Sequence, residues 1–162
     1  MASSGSIDTA VEELSAKLGF ALKLKEEQTV AVKSLLDGKD VLGILPTGFG
    51  KSMVYQMFVT ASDKMALVIS PLNSVIDDQI EEANAMNISA LSLSKASPEE
   101  LRSGEFKLLF ASAVNALESK FVNALKDKQS LLHQKIGLVV IDEPHVIVVG
   151  NCRFERSTSA FV

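Results

Sequence analysis

Hydrophobic residues near the start of the chain recur at the spacing of an α-helix. The first set consists of Ile7, Val11, Leu14 and Leu18. Because this spacing places the set on one face, a helix is predicted over 7–18, with Gly19 at its end. The small polar residues 1–6 are expected to form a frayed tail. A second helix is predicted over 26–36.

After residue 40 the pattern changes to short apolar runs that alternate with helical segments. The predicted strands are 40–45, 66–70, 88–93, 107–111 and 136–141. The predicted helices are 53–61, 73–85, a short one that starts at the capping box 97–100, and 113–126. Apolar strands that alternate with helices indicate a parallel sheet covered on both faces. The predicted fold class is therefore α/β, with three layers and a mostly parallel sheet.

The segment between the first predicted strand and its helix has the composition of a phosphate-binding loop. It reads Pro46-Thr47-Gly48-Phe49-Gly50-Lys51-Ser52. Glycines let backbone N–H groups approach a polyphosphate closely, and the N-terminus of the next helix adds unpaired donors. Lys51 is the candidate partner of the β- and γ-phosphates, and Ser52 offers its hydroxyl to Mg²⁺. The segment therefore predicts a bound nucleoside triphosphate with Mg²⁺.

The loop departs from the full phosphate-loop pattern at its first position. That pattern begins with glycine, whereas this chain has Leu45 there. Phe49 is bulky for a loop that wraps phosphate, so its ring is expected to point away from the ligand. An ordinary turn before a helix is the alternative, which the strand–loop–helix order disfavours.

A second polar motif, Asp142-Glu143-Pro144-His145, follows the apolar run 136–141. Ligands of open α/β sheets bind beyond the carboxyl ends of the strands, so this motif and the phosphate loop are expected to meet. Asp142 is the candidate Mg²⁺ ligand, mostly through water. Glu143 is the candidate base that orients and deprotonates the attacking water. The alternative is a pair of solvated acids in a loop.

Composition narrows the class of protein. At 162 residues the chain suits one domain, and its net charge of −4 argues against holding nucleic acid mainly by bulk positive charge. The single Cys152 excludes an intramolecular disulfide and fits a reducing compartment, and His133 and His145 do not have zinc-site spacing. No secretory signal is recognisable, and no apolar run approaches ~20 residues. An intracellular location without a membrane partner is predicted.

With both motifs placed, residues 18–150 resemble a superfamily-two nucleic-acid helicase, and within that group the RecQ-like DNA helicases. The phosphate loop with Tyr55-Gln56 just beyond it is the stretch most similar to RecQ. The resemblance implies a RecA-like P-loop domain that binds ATP and Mg²⁺. It also implies that Gln28 hydrogen-bonds the adenine edge and that Lys25 packs on the base. The alternative for Gln28 is a solvated helix residue.

The residues after the second predicted strand resemble the family motif that touches single-stranded DNA. The implied DNA contacts are Ser70, Pro71, Leu72 and Asn73. A strand end, a proline turn and a helix N-terminus offer amides and hydroxyls to a phosphate. A simple strand-to-helix connection is the alternative.

The acid motif and the segment after it depart from the family pattern. Pro144 replaces the small residue that is usual there, removes one N–H and pushes Glu143 toward extended geometry. His145 would couple ATP hydrolysis to movement on DNA. The family's aromatic loop carries a tryptophan, and this chain has none. The residues that still resemble that loop are Gly150, Phe154 and Arg156.

The predicted organisation is an N-terminal tail and helix over 1–17, followed by an incomplete first RecA-like domain over 18–162. The second RecA-like domain, with its facing arginines, is expected to be absent, so the fold is expected to be truncated at its C-terminal end. The predicted function is ATP and DNA binding as the N-terminal half of a 3′→5′ DNA helicase, with the isolated chain not a competent motor.

Two other classes of function stay open. One is a degenerate nucleotide-binding interaction module without catalysis, and the other is an unrelated P-loop NTPase. A nuclear location is what the resemblance implies for a eukaryote.

Overall fold

The computed structural model describes residues 3–46, 48–71, 73–142 and 159–161, with 3–5 and 159–161 described as backbone only. The helices are α1 (Ser3–Leu18), α2 (Glu26–Leu36), α3 (Lys51–Ala61), α4 (Asn73–Ala85), α5 (Pro98–Ser103), α6 (Ala113–Ala116), α7 (Ser119–Lys126) and α8 (Leu131–Lys135). The strands are β1 (Met65–Ile69), β2 (Ala90–Ser92), β3 (Leu108–Ala111), β4 (Ile136–Ile141) and β5 (Ser159–Phe161).

The five strands form one sheet in the order β2-β3-β1-β4-β5. All four pairings are parallel. β1 is central, and its Ile69 is paired with Ala111 of β3 and with Ile141 of β4. The carboxyl ends of these three strands therefore share one edge of the sheet.

Alternate residues of the strands face two separate cores. Val68 and Phe110 belong to a core with buried residues of α1 to α4. Leu67 and Val139 belong to a core with α6, α7 and α8. Successive side chains of a strand point to opposite faces, so strands buried on both sides need helices on both sides. The predicted three-layer α/β fold with a parallel sheet is confirmed.

One predicted strand is wrong. In the segment 40–45, Val41 forms a single isolated β-bridge and the other residues are not in a strand. The segment takes part in none of the described strand pairings. Leu42 and Ile44 are 70% and 86% exposed. An apolar run becomes a strand only where a neighbour supplies hydrogen-bond partners, and none of the five described strands pairs with this segment.

The helices also differ from the prediction: one begins earlier, one is divided in two, and one was not predicted. α1 already begins at Ser3, so residues 3–6 are helical and do not form a frayed tail. The predicted helix 113–126 is divided, because α6 ends before Leu117. The sequence interpretation missed α8, which Ser130 caps by accepting the His133 N–H at 3.1 Å. Among the described residues, no helix is long and apolar enough to cross a membrane.

Candidate nucleotide-binding site

The loop before α3 has the backbone conformation that its glycines allow. Gly48 and Gly50 have φ values of +80° and +88°. The Phe49 N–H donates to the Pro46 carbonyl at 3.1 Å, which closes a turn. The N–H groups of Lys51 and Ser52, the first two of α3, have no acceptor within the helix, so they can bind an anion. Thr47 lies outside the described residues.

Lys51 and Ser52 open α3, and both are partly exposed. Within the described part of the chain, the Lys51 ammonium forms no hydrogen bond or ion pair, so its charge is available to an anionic ligand. The Ser52 hydroxyl donates to Oε1 of Glu82 on α4 at 3.3 Å. The two residues that the loop pattern singles out therefore stand together at a helix N-terminus.

Gln28 of α2 holds the loop from one side. Its side chain is only 5% exposed, so its interpretation as a solvated residue is wrong. Nε2 donates to the carbonyl oxygens of Gly50 at 3.0 Å and Phe49 at 3.3 Å, and Oε1 accepts the Lys25 N–H at 2.9 Å. Both ends of the amide are engaged with protein groups. In this conformation Gln28 supports the loop, and its contact with adenine stays a prediction.

Lys25 packs on Phe49. Its ammonium lies 4.0 Å from the centroid of the Phe49 ring and donates to the Phe49 carbonyl at 3.1 Å. The bulky ring in the loop thus faces α2 and receives a cation over its surface. The packing of Lys25 on a nucleotide base stays a prediction.

The acid motif begins at the shared edge of the sheet. The Asp142 N–H donates to the Ile69 carbonyl at 2.9 Å, and the Ser70 N–H donates to the Ala111 carbonyl at 2.9 Å. These bonds bring Asp142 and Ser70 to adjacent strand ends. Glu143, Pro144 and His145 lie outside the described residues.

The predicted DNA-contact residues differ in accessibility. Ser70 is fully buried, and its hydroxyl is without a hydrogen-bond partner in the described residues. In this conformation its side chain does not reach the surface, so a direct DNA contact would need a rearrangement. Asn73 is exposed and Pro71 is partly exposed, which leaves both available to a ligand. Leu72 lies outside the described residues.

The buried phenol of Tyr55, on α3, is affected by the charges of Asp142 and Glu82. Burial raises the pKa of its phenol, and the carboxylates of Asp142 and Glu82 raise it further. Glu82 also contacts α3 directly, because its Oε1 accepts hydrogen bonds from Ser52 and Gln56.

The oxygen atoms of Ser52 and Asp142 suit a Mg²⁺ ion that binds together with a nucleotide. The described residues contain no group of three or more histidine, cysteine, aspartate or glutamate side chains that could hold a metal on their own. Mg²⁺ binds through oxygen, usually with one or two carboxylates, several waters and substrate phosphates. The Ser52 hydroxyl and Asp142 provide oxygen ligands of this kind.

Glu82 is the residue at this site that sequence reasoning missed. It follows Glu81 in a charged helical stretch, and nothing in the sequence distinguishes the two carboxylates. Its contact with Ser52 spans 30 positions of the chain and depends on how α4 packs beside α3.

Comparison with known proteins defines the class. Residues 25–160 match the DEAD/DEAH box helicase family, to which this chain belongs. This membership contradicts the alternative of an unrelated P-loop NTPase.

Curated relatives narrow the resemblance within that family. The chain is 34% identical over 147 residues to the ATP-dependent DNA helicase RecQ of Pasteurella multocida, covering 86% of this chain and 22% of the relative. It is 35% identical over 136 residues to the probable ATP-dependent DNA helicase RecS of Bacillus subtilis, covering 80% of this chain and 26% of the relative. The predicted RecQ-like character is confirmed. The chain spans about a fifth to a quarter of the length of these relatives.

A solved structure agrees in fold. The crystal structure of the DUF1998 helicase MrfA bound to DNA and AMPPNP matches with a TM-score of 0.60 and 22% identity. The match covers 86% of this chain and 21% of that chain. The α/β helicase fold is therefore shared with a distant helicase.

Proposed function

We propose that this chain binds Mg-ATP and single-stranded DNA as the N-terminal ATP-binding domain of a RecQ-like helicase that unwinds DNA in the 3′→5′ direction. The observation that carries the proposal is the N-terminus of α3. A glycine loop, the Lys51 ammonium and the Ser52 hydroxyl stand together there, and the charge of Asp142 acts on Tyr55 of the same helix. The RecQ-like relatives supply the helicase context.

Each residue has a proposed role in ATP binding and hydrolysis. Lys51 and the first N–H groups of α3 bind the phosphates, and Gln28 supports the loop and hydrogen-bonds the adenine edge. Ser52 and Asp142 hold Mg²⁺, which when bound neutralises part of the phosphate charge. Glu143 orients and deprotonates the attacking water, and His145 couples hydrolysis to DNA.

DNA binding is proposed at the shared edge of the sheet, beside the nucleotide. Pro71, Leu72 and Asn73 connect the end of β1 to the N-terminus of α4, where amides can bind a phosphate. Because the chain has a net charge of −4, these local donors carry the binding rather than a basic surface. We expect the salt dependence to be shallow, since few cations contact the backbone.

Nucleotide affinity tests the proposal directly. A fluorescent ATP analogue is titrated into the wild-type chain and into Lys51→Ala. Loss of a charge-assisted phosphate contact is expected to weaken binding about ten- to hundredfold. Lys120→Ala removes the same charge from the exposed face of α7, across the sheet, and should bind like the wild type. Equal affinity of Lys51→Ala and the wild type would contradict the proposal.

A nucleotide-dependent interaction module without catalysis is the second candidate, and Pro144 beside the proposed base favours it. DNA-stimulated ATP turnover separates the two functions. Turnover that is lost in both Lys51→Ala and Glu143→Gln indicates a motor domain, whereas binding without turnover indicates the module. Because the chain spans only about a fifth of its RecQ relative, we expect no strand separation by these 162 residues alone. A strand-displacement assay checks this.

A further inference from the structure

The carboxylate of Glu82 crosses from α4 to the first turns of α3. Its Oε1 accepts a hydrogen bond from the Ser52 hydroxyl at 3.3 Å and another from Nε2 of Gln56 at 3.3 Å. Ser52 and Gln56 are four residues apart and therefore share one face of α3. One carboxylate oxygen thus spans a full turn of the helix, directly beside the hydroxyl assigned to Mg²⁺.

The chemistry of the two groups fixes the direction of the hydrogen bond. A serine hydroxyl has one proton to donate and two lone pairs, and an ionised carboxylate can only accept. The Ser52 proton therefore points toward Glu82, and the lone pairs of the hydroxyl point elsewhere. A cation needs those lone pairs, so the contact leaves Ser52 oriented as a ligand.

A hydrogen bond from Gln56 fixes the position of the Glu82 carboxylate. The Gln56 side chain is only 1% exposed, and its Nε2 donates to the same oxygen that accepts from Ser52. A buried amide is a fixed donor, whereas Glu82 itself lies on the exposed side of α4. The position of the carboxylate is thus set from the interior of the domain.

We propose that Glu82 is a positioning residue for Mg²⁺: it orients the Ser52 hydroxyl so that its lone pairs face the metal of the bound nucleotide. This inference rests on the proposed function. Groups that hydrogen-bond a metal ligand orient it and raise its basicity, and their loss typically weakens metal affinity about 10- to 100-fold. Since α4 begins at Asn73, the same contact also joins the proposed DNA-binding helix to the nucleotide site.

The test measures how much Mg²⁺ improves nucleotide affinity. A fluorescent ATP analogue is titrated into each variant at saturating Mg²⁺ and in EDTA, and the ratio of the two affinities is the Mg²⁺ gain. Glu82→Ala is expected to reduce this gain about tenfold, with little change in EDTA. Glu81→Ala removes the same charge from the next residue of α4 and should keep the full gain. Glu82→Gln retains an acceptor oxygen and should keep most of it.

A double-mutant cycle with Ser52→Ala asks whether the effect passes through the hydroxyl. Ser52→Ala alone is expected to lose the gain, and adding Glu82→Ala should then change nothing further. If Glu82→Ala lowers the Mg²⁺ gain in the Ser52→Ala background as much as it does in the wild type, the inference is wrong. The charge of Glu82 would then act on the metal without Ser52. An unchanged or larger gain in Glu82→Ala would overturn the inference as well.

Folding is followed in the same samples by thermal unfolding. If Glu82→Ala lowers the melting temperature below that of Glu81→Ala and weakens binding equally with and without Mg²⁺, Glu82 is merely structural and the inference fails. Insensitivity of nucleotide binding to Lys51→Ala would instead overturn the proposed function, and the inference with it. If nucleotide binding depends on Lys51 but Glu82→Ala keeps the full Mg²⁺ gain, the inference about Glu82 is wrong and the proposed function stands.

Discussion

The phosphate loop is held from two sides that differ in character. On the α2 side, Gln28 is buried and its amide makes three hydrogen bonds of 2.9 to 3.3 Å, two of them to the loop. On the α4 side, Glu82 is exposed and makes two bonds of 3.3 Å to α3. The buried neutral amide of Gln28 donates to loop carbonyl groups, whereas the carboxylate of Glu82 accepts from a hydroxyl that can bind a cation. The α2 side therefore supports the loop, and the α4 side holds the carboxylate that we propose orients Ser52 for Mg²⁺.

Gly50→Ala is expected to have the largest effect on the α2 side. Residue 50 has a φ of +88°, and an added Cβ would come 2.7 Å from Nε2 of Gln28. A side chain there is both strained and in conflict with a buried hydrogen-bonded amide. We expect the free energy of unfolding to fall by about 1–3 kcal/mol, measured by urea denaturation, together with loss of nucleotide binding.

Gly48→Ala is the matched control for this substitution. Its φ is +80°, but an added Cβ would meet none of the described residues within 4 Å, so only the conformational cost of about 1–2 kcal/mol applies. The double variant Gly50→Ala/Gln28→Ala should recover part of the loss by removing the conflict. Equal losses in the two glycine variants would show that the α2 contact does not constrain the loop.

Gln28→Ala is expected to have the next largest effect. It leaves the partly buried carbonyl groups of Phe49 and Gly50 without their amide donor, which costs about 1–3 kcal/mol of stability. Gln28→Glu should lose a similar amount, because a carboxylate cannot donate to a carbonyl. The neighbouring exposed Glu27→Ala should stay within about 0.5 kcal/mol of the wild type. Chemical denaturation of the three variants gives the comparison.

Lys25→Ala is expected to have the smallest effect. The ammonium over the Phe49 ring is exposed, and such contacts contribute about 0.5–1 kcal/mol. Lys25→Arg should retain most of this contribution, and Lys23→Ala should lose none of it. A double-mutant cycle with Phe49→Leu measures the coupling, and a coupling near zero would show that the ring contact is incidental.

Two apolar runs illustrate how far sequence prediction reaches. Both 41–45 and 136–141 are predicted strands, and both precede a polar motif. Residues 136–141 form β4, with Leu138 fully buried in the core beside α1 to α4. The other run takes part in none of the described strand pairings, and Ile44 lies at the surface. Hydrophobicity indicates that a segment can form a strand, but pairing depends on residues distant in the chain.

Local patterns in the sequence alone determined the order of most elements, the parallel α/β class, and the loop with Lys51 and Ser52. These features depend on periodicity, glycine conformation and helix N-termini, which act over a few residues. Only the tertiary structure decided that Gln28 turns toward the loop and that Glu82, rather than Glu81, reaches Ser52. Such contacts join positions 21 to 30 residues apart, and the packing of α2 and α4 beside α3 selects the partner.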